Sequence, residues 1–115
     1  MSIRRVVPDI RSENLDDSRD FYELLGFVEV MNQGWVMTLA SPSNPTAQLT
    51  LMRDDASAAV QPDLSVEVDD VDAVYAQVLA SGAEIVHSLR DEPWGVRRFF
   101  VRDPNGRVVN VLSHP

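Results

Sequence analysis

Residues 14–30, NLDDSRDFYELLGFVEV, return 56 positions later as residues 70–86, DVDAVYAQVLASGAEIV. Leu15 aligns with Val71, Asp16 with Asp72, Gly26 with Gly82 and Val30 with Val86. Each copy reads as a capped amphipathic helix, a glycine stop and a strand. Present only twice, such a unit implies a pseudo-symmetric pair of supersecondary elements and not a solenoid, which stacks three or more repeats. Cavities form where two such units meet, so function is to be sought there.

The pattern extends on both sides of the repeat. Residues 3–11 alternate as a strand, with Pro8 implying an edge position or a bulge. Asn14 reads as an N-cap, with Asp16 and Asp17 in the first turn where the helix dipole favours anions. Leu15, Ser18, Phe21, Tyr22 and Leu25 follow at helical spacing, and Gly26 supplies a left-handed C′ residue. Strands are expected at 27–32, 35–40 and 47–53, the last two joined by the loop SPSNPT. After the polar linker 54–62 the order repeats. A strand at 63–69, a helix at 71–81 capped by Asp70, and strands at 83–88, 97–102 and 107–113 complete the chain. The last two strands enclose DPNG (103–106), a tight-turn sequence. The order is βαβββ twice, an α+β fold.

Composition narrows the function classes. A chain of 115 residues is long enough to fold as one domain without staples. With no cysteine, disulfides, thiolate metal sites and thiol nucleophiles are excluded. A net charge of −8 argues against a nucleic-acid partner, whose binding rests on cationic contacts to phosphate. It suits a cationic ligand or simple solubility. MSIRRVVPDI lacks the apolar run of a signal peptide and no 18-residue apolar stretch exists, so a cytoplasmic protein without a membrane partner is expected.

The segments SENLDDSRDFYELLGF (12–27), VEVDDVDAVYAQVLASGAEI (66–85) and EPWGVRRFFVRDPNGRVVNVL (92–112), in this order on a duplicated unit, resemble the vicinal oxygen chelate superfamily of glyoxalases, bleomycin-resistance proteins and dioxygenases. The resemblance covers nearly the whole chain. It implies a single domain, 1–115, with module one at 1–53, a linker at 54–62 and module two at 63–115. Each module contributes to a curved mixed sheet, and together they close a cup. In small members the resemblance also implies a homodimer whose cups each take one module from each subunit.

Alternation along the strands assigns the cup lining. Leu64, Val66 and Val68 form the set that covers a helix, leaving Asp63, Ser65 and Glu67 facing the cup. The first strand gives Val7, Asp9 and Arg11; the last gives Val108, Asn110 and Leu112. Pairing across DPNG places Arg97, Phe99 and Val101 beside them, unless a bulge shifts the register. In module one Thr50 is the counterpart of Asn110, with Gln48 and Met52 on the same face. Trp35 and Trp94 either stack on a flat or cationic ligand or pack as core, interface or loop anchors. Glu67 reads as a ligand anchor, a solvated residue or a partner of Arg97 or Arg11. Phe21, Tyr22 and Tyr75 read as packing, and His87 and His114 as surface or satisfied histidines.

Metal-dependent members of the superfamily hold a divalent ion at four points, which the resemblance carries to Val7, Thr50, Asp63 and Asn110. Of these only Asp63 is a competent ligand for a transition metal, and a catalytic ion usually needs three. No metal or other cofactor is therefore expected. The leading expectation is a dimeric, metal-free binding protein for a small organic molecule, a cationic antibiotic or an aromatic metabolite. Two enzymatic alternatives stand beside it. One is a metal-dependent lyase, isomerase or dioxygenase with a displaced site. The other is a metal-free acid–base enzyme using Asp63 or Glu67.

Overall fold

Asn14 and Asp70, at equivalent places in the two repeats, start the two helices in the same way. The Asn14 side chain accepts a hydrogen bond from the Asp17 amide at 3.0 Å, and Asp70 from the Ala73 amide at 3.1 Å. Each satisfies one of the four amides that a helix leaves without an internal partner. The second helix ends at Gly82, whose φ of +79° is the left-handed conformation that a side chain would strain. The computed structural model describes residues 2–115. Its elements are β1 (Ile3–Arg11), α1 (Leu15–Glu23), β2 (Val28–Asn32), β3 (Val36–Ala40), β4 (Gln48–Met52), β5 (Leu64–Val68), α2 (Val71–Ser81), β6 (Ile85–Asp91), β7 (Arg97–Arg102) and β8 (Val108–Ser113). The strands pair both in parallel and antiparallel, giving the expected α+β class.

The chain divides into two compact units, Val7–Ser57 and a second made of residues 2–6 with Ala58–Pro115. The opening residues of β1 thus belong with the second unit, where the sequence pattern had grouped them with module one. Ser2 exchanges hydrogen bonds with Asp69 at 2.9 and 3.1 Å, and Arg5 pairs with Glu67 at 3.1 Å.

In the first unit the strand order is β2-β3-β4-β1, with β1 and β4 parallel and the others antiparallel. Leu15 of α1 packs on Met37, Leu39, Leu49 and Leu51, with Ile10, Tyr22 and Phe27 around them. In the second the order is β5-β8-β7-β6, with β5 and β8 parallel. Val71 of α2, with Val74, Tyr75 and Val78, packs on Val68, Phe99 and Val111. Leu15 and Val71, aligned in the repeat, are each the buried residue of their helix. No helix is long and apolar enough to cross a membrane among the described residues.

The turn after β7 departs from the expected register, for a local reason. Asp103 accepts hydrogen bonds through its side chain from the Asn105 and Arg107 amides at 2.8 and 2.9 Å, and its own amide donates to the Arg107 carbonyl at 2.9 Å. Arg107 is therefore part of the turn, and Arg102 stands opposite Val108. One extra loop residue exchanges the two faces of β7. Arg98 and Phe100, not Arg97 and Phe99, share the face of Asn110 and Leu112.

Candidate functional site

On the second unit's sheet, the face opposite α2 carries polar residues in cross-strand rows. Ser65 stands opposite Asn110, Asn110 opposite Phe100, and Phe100 opposite His87, so one row crosses all four strands. A second row runs Glu67, Leu112, Arg98, Arg90. Irregularity in β6 between His87 and Arg90 keeps both residues on this face, three positions apart. Asn110 donates to the Ser65 hydroxyl at 3.0 Å. Its other side-chain atom, Oδ1, is buried and has no hydrogen-bond partner.

Glu92, in the turn before β7, gathers the charges of this face. Its side chain is fully buried and meets Arg90 at 2.6 Å, His87 at 3.2 Å and Arg98 at 3.4 Å. Burial pushes the carboxyl up, but the Arg90 hydrogen bond, the Arg98 charge and the His87 contact outweigh it and hold Glu92 below its ordinary range. An ionised carboxylate only accepts, so the His87 Nε2–H donates to Glu92. The guanidinium of Arg98 is clamped between two rings, 4.8 Å from the centroids of both Trp94 and Phe100. His87 lies against Phe100 with centroids 4.7 Å apart.

The residues expected here divide accordingly. Ser65, Glu67 and Asn110 are on the expected face. Arg97 and Phe99 are on the other: Arg97 pairs with Asp72 of α2 at 2.9 Å, and Phe99 packs on Tyr75 with centroids 4.9 Å apart. Asp63 lies just before β5 and accepts a hydrogen bond from the Val108 amide at 2.8 Å, with Arg107 at 3.9 Å. It closes the β5–β8 ladder. Glu67 is matched by Arg5 at 3.1 Å and His114 at 3.1 Å. Trp94 anchors Arg98 and remains partly exposed. His87, Glu92, Arg98 and Phe100 were missed; the alternation of β7 in the other parity would have found the last two.

In the first unit, Asp9 stands opposite Thr50, and Thr50 opposite Thr38, on the face away from α1. This matches Ser65 and Asn110 in the second unit, since Asp9 and Ser65 are 56 apart. Val7 and Asp9 are buried. Gln48 donates to the Pro45 carbonyl at 2.8 Å, holding the loop before β4. Arg11 turns to Glu13 and Asp54, both about 3.2–3.3 Å away, at the surface. The Trp35 carbonyl accepts from the Arg53 amide at 2.9 Å. A separate open cleft of about 480 Å³ lies at the start of α1, lined by Glu13, Asp16, Asn32 and Arg53 over Leu15 and Met37. It contains none of the residues expected to bind.

The donor set does not fit the divalent ion that the resemblance implies. In the first unit Val7 offers no lone pair and Thr50 only a neutral hydroxyl. In the second, Asp63 is engaged with the Val108 amide, and Asn110 is neutral. Among the described residues no group of three His, Asp or Glu side chains is placed to hold a metal.

Comparison with solved structures gives the same fold over nearly the full chain. A superfamily member from Vibrio splendidus 12B01 superposes with a TM-score of 0.72 at 18% identity, covering 97% of this chain and 99% of the other. A Legionella pneumophila structure described as an NAD-dependent benzaldehyde dehydrogenase gives 0.75 at 17% identity, over 96% and 99%. A single-substitution variant of Streptomyces coelicolor methylmalonyl-CoA epimerase, in complex with 2-nitronate-propionyl-CoA, gives 0.69 at 21% identity, over 97% and 98%. No curated protein matches the chain at a significant level. The profile of the Glyoxalase/Bleomycin resistance protein/Dioxygenase superfamily matches residues 2–111, and with the duplicated fold already described this chain belongs to that family.

Proposed function

We propose that this protein binds a small organic molecule without a metal ion, on the sheet face that carries Ser65, Phe100 and Asn110. The observation that carries the reading is the donor chemistry at the ion-holding points: a valine, a threonine, an asparagine and a carboxylate already engaged with a backbone amide. The same contacts favour an aromatic or otherwise neutral ligand over the cationic one. Glu67 is balanced by Arg5, Glu92 by Arg90 and Arg98, and Asp63 lies close to Arg107. Little uncompensated negative charge is left to hold a cation. As in the family's small members, we infer a homodimer, with the exposed Phe21, Leu24, Leu25, Val28 and Val30 as its apolar contact.

Three measurements test the reading. Elemental analysis of protein purified without chelator should find metal far below one ion per subunit; one tightly held nickel, zinc or iron would overturn it. Tryptophan fluorescence titrated with aromatic metabolites and quinones should respond through Trp94. Sedimentation at micromolar concentration should give a dimer that Leu24→Asp weakens.

Acid–base catalysis is the second reading, supported by the orientation of His87 by Glu92. Its base is His87, since Asp63 and Glu67 are both engaged. Exchange of acidic C–H protons of small carbonyl compounds into D2O, lost in His87→Phe, would favour it. The epimerase among the similar structures is an enzymatic relative of this fold.

A further inference from the structure

We propose that the ligand of this face carries an N–H or O–H donor, set in an otherwise apolar frame, and that Asn110 Oδ1 accepts it. The inference rests on the binding reading above and names the chemistry of its ligand. Asn110 is only 9% exposed, and its register places it in the middle of the row Ser65, Asn110, Phe100, His87. A carboxamide offers two donor hydrogens and two acceptor lone pairs. Nδ2 is engaged by Ser65 at 3.0 Å, whereas Oδ1 is buried with nothing to accept from. Buried acceptors in folded proteins are almost always met, because leaving one unmet costs free energy that a leucine there would not.

The surroundings define the rest of the molecule. On the same strand face, two residues either side of Asn110, lie Val108 and Leu112, both buried, and across the ladder lies the ring of Phe100, fully buried. In register, Asn110 thus has hydrocarbon neighbours along and across its strand, with the Arg98 guanidinium and the His87 ring beyond them against Phe100. A site built around one hydrogen bond rejects the isostere that lacks the donor, because the buried acceptor is then left unpaired. Phenols, indoles and aromatic amides have this chemistry.

The test uses three bicyclic probes of nearly the same shape: indole, which donates; indene, which does neither; and benzofuran, which only accepts. Binding is followed on the intact protein by NMR titration of the Asn110 side-chain amide and of backbone amides along β8. Indole is expected to bind at least about tenfold more tightly than indene or benzofuran, a preference that Asn110→Leu and Asn110→Ala both erase. The unliganded Asn110→Leu protein is expected to melt a few degrees higher than the parent, since it removes an unmet buried acceptor at nearly constant volume. Equal affinity for all three probes overturns the donor inference and leaves the binding reading standing. Binding by none of them overturns both. A melting temperature lowered further in Asn110→Leu than in Ser65→Ala, which loses the same Ser65 hydrogen bond, would mean that Oδ1 is satisfied within the protein, and would overturn the inference on its own.

Discussion

Arg98 Nη2 lies 3.4 Å from Glu92 Oε2 with both side chains almost withdrawn from water, at 6% and 0% exposure. Breaking such a pair is costly because it leaves a charge out of water without the counter-charge that compensated it. Arg98 is steadied further by Trp94 and Phe100, and Glu92 by Arg90 and His87. The turn of residues 92–95 is thereby tied to the neighbouring strands at one point.

Glu92→Ala is expected to lower stability by about 3–5 kcal/mol, because it leaves the Arg98 charge buried without its counter-ion. Urea denaturation measures this directly. A loss below about 1 kcal/mol would mean that water reaches Arg98 and that the cluster is an ordinary surface network.

The same carboxylate sets a pH dependence with a definite sign. Its pKa is depressed in the folded protein, so the stability it contributes is present above its ordinary value of 4.5 and is lost as pH falls through the folded value. Asp69, lowered chiefly by the Ser2 amide, and Asp72, lowered chiefly by Arg97, act in the same direction. Stability should therefore fall below about pH 4.5, and Glu92→Gln should make that fall shallower without abolishing it. An unchanged slope in Glu92→Gln would remove Glu92 from the acid response.

Phe99 and Phe100 are adjacent, both fully buried, and on opposite faces. Phe99→Ala should cost about 3–5 kcal/mol by emptying the contact with Tyr75, while the affinity for indole changes by less than about twofold. Phe100→Leu, milder for the fold, should weaken binding. The reverse assignment would put the expected register back in place.

These two residues also mark where the sequence ceased to be legible. The caps at Asn14 and Asp70, the stop at Gly82 and the duplication at 56 residues are local signals, each settled by a few neighbouring atoms, and all are found where expected. Ser65 and Asn110 were legible because β5 and β8 alternate cleanly, with Val66 and Val109 toward the helix. The faces of β7 were not. RRFFV repeats arginine with arginine and phenylalanine with phenylalanine, so either parity buries one aromatic on each side. The decision passed to the turn, where DPNG reads as four residues but Asp103 gathers five. His87 was hidden by the irregularity of β6, which period-two counting cannot anticipate.

Asp63→Ala is expected to destabilise by about 1 kcal/mol, the value of one hydrogen bond to the Val108 amide, and to leave ligand affinity and its salt dependence unchanged. Calorimetry with indole at two ionic strengths checks both. A marked loss of affinity would return Asp63 to the binding face.

Because the turn that Asp103 gathers has an odd number of residues, the chemical character of the sheet face around Asn110 is stored in a segment outside that face. Deleting one residue between Pro104 and Gly106 would present Arg97 and Phe99 where Arg98 and Phe100 now stand, rewriting that surface in a single step. Duplicated folds of this kind can thus acquire new specificities through loop length, a change that surface chain tolerates far more readily than substitutions in the packed sheet.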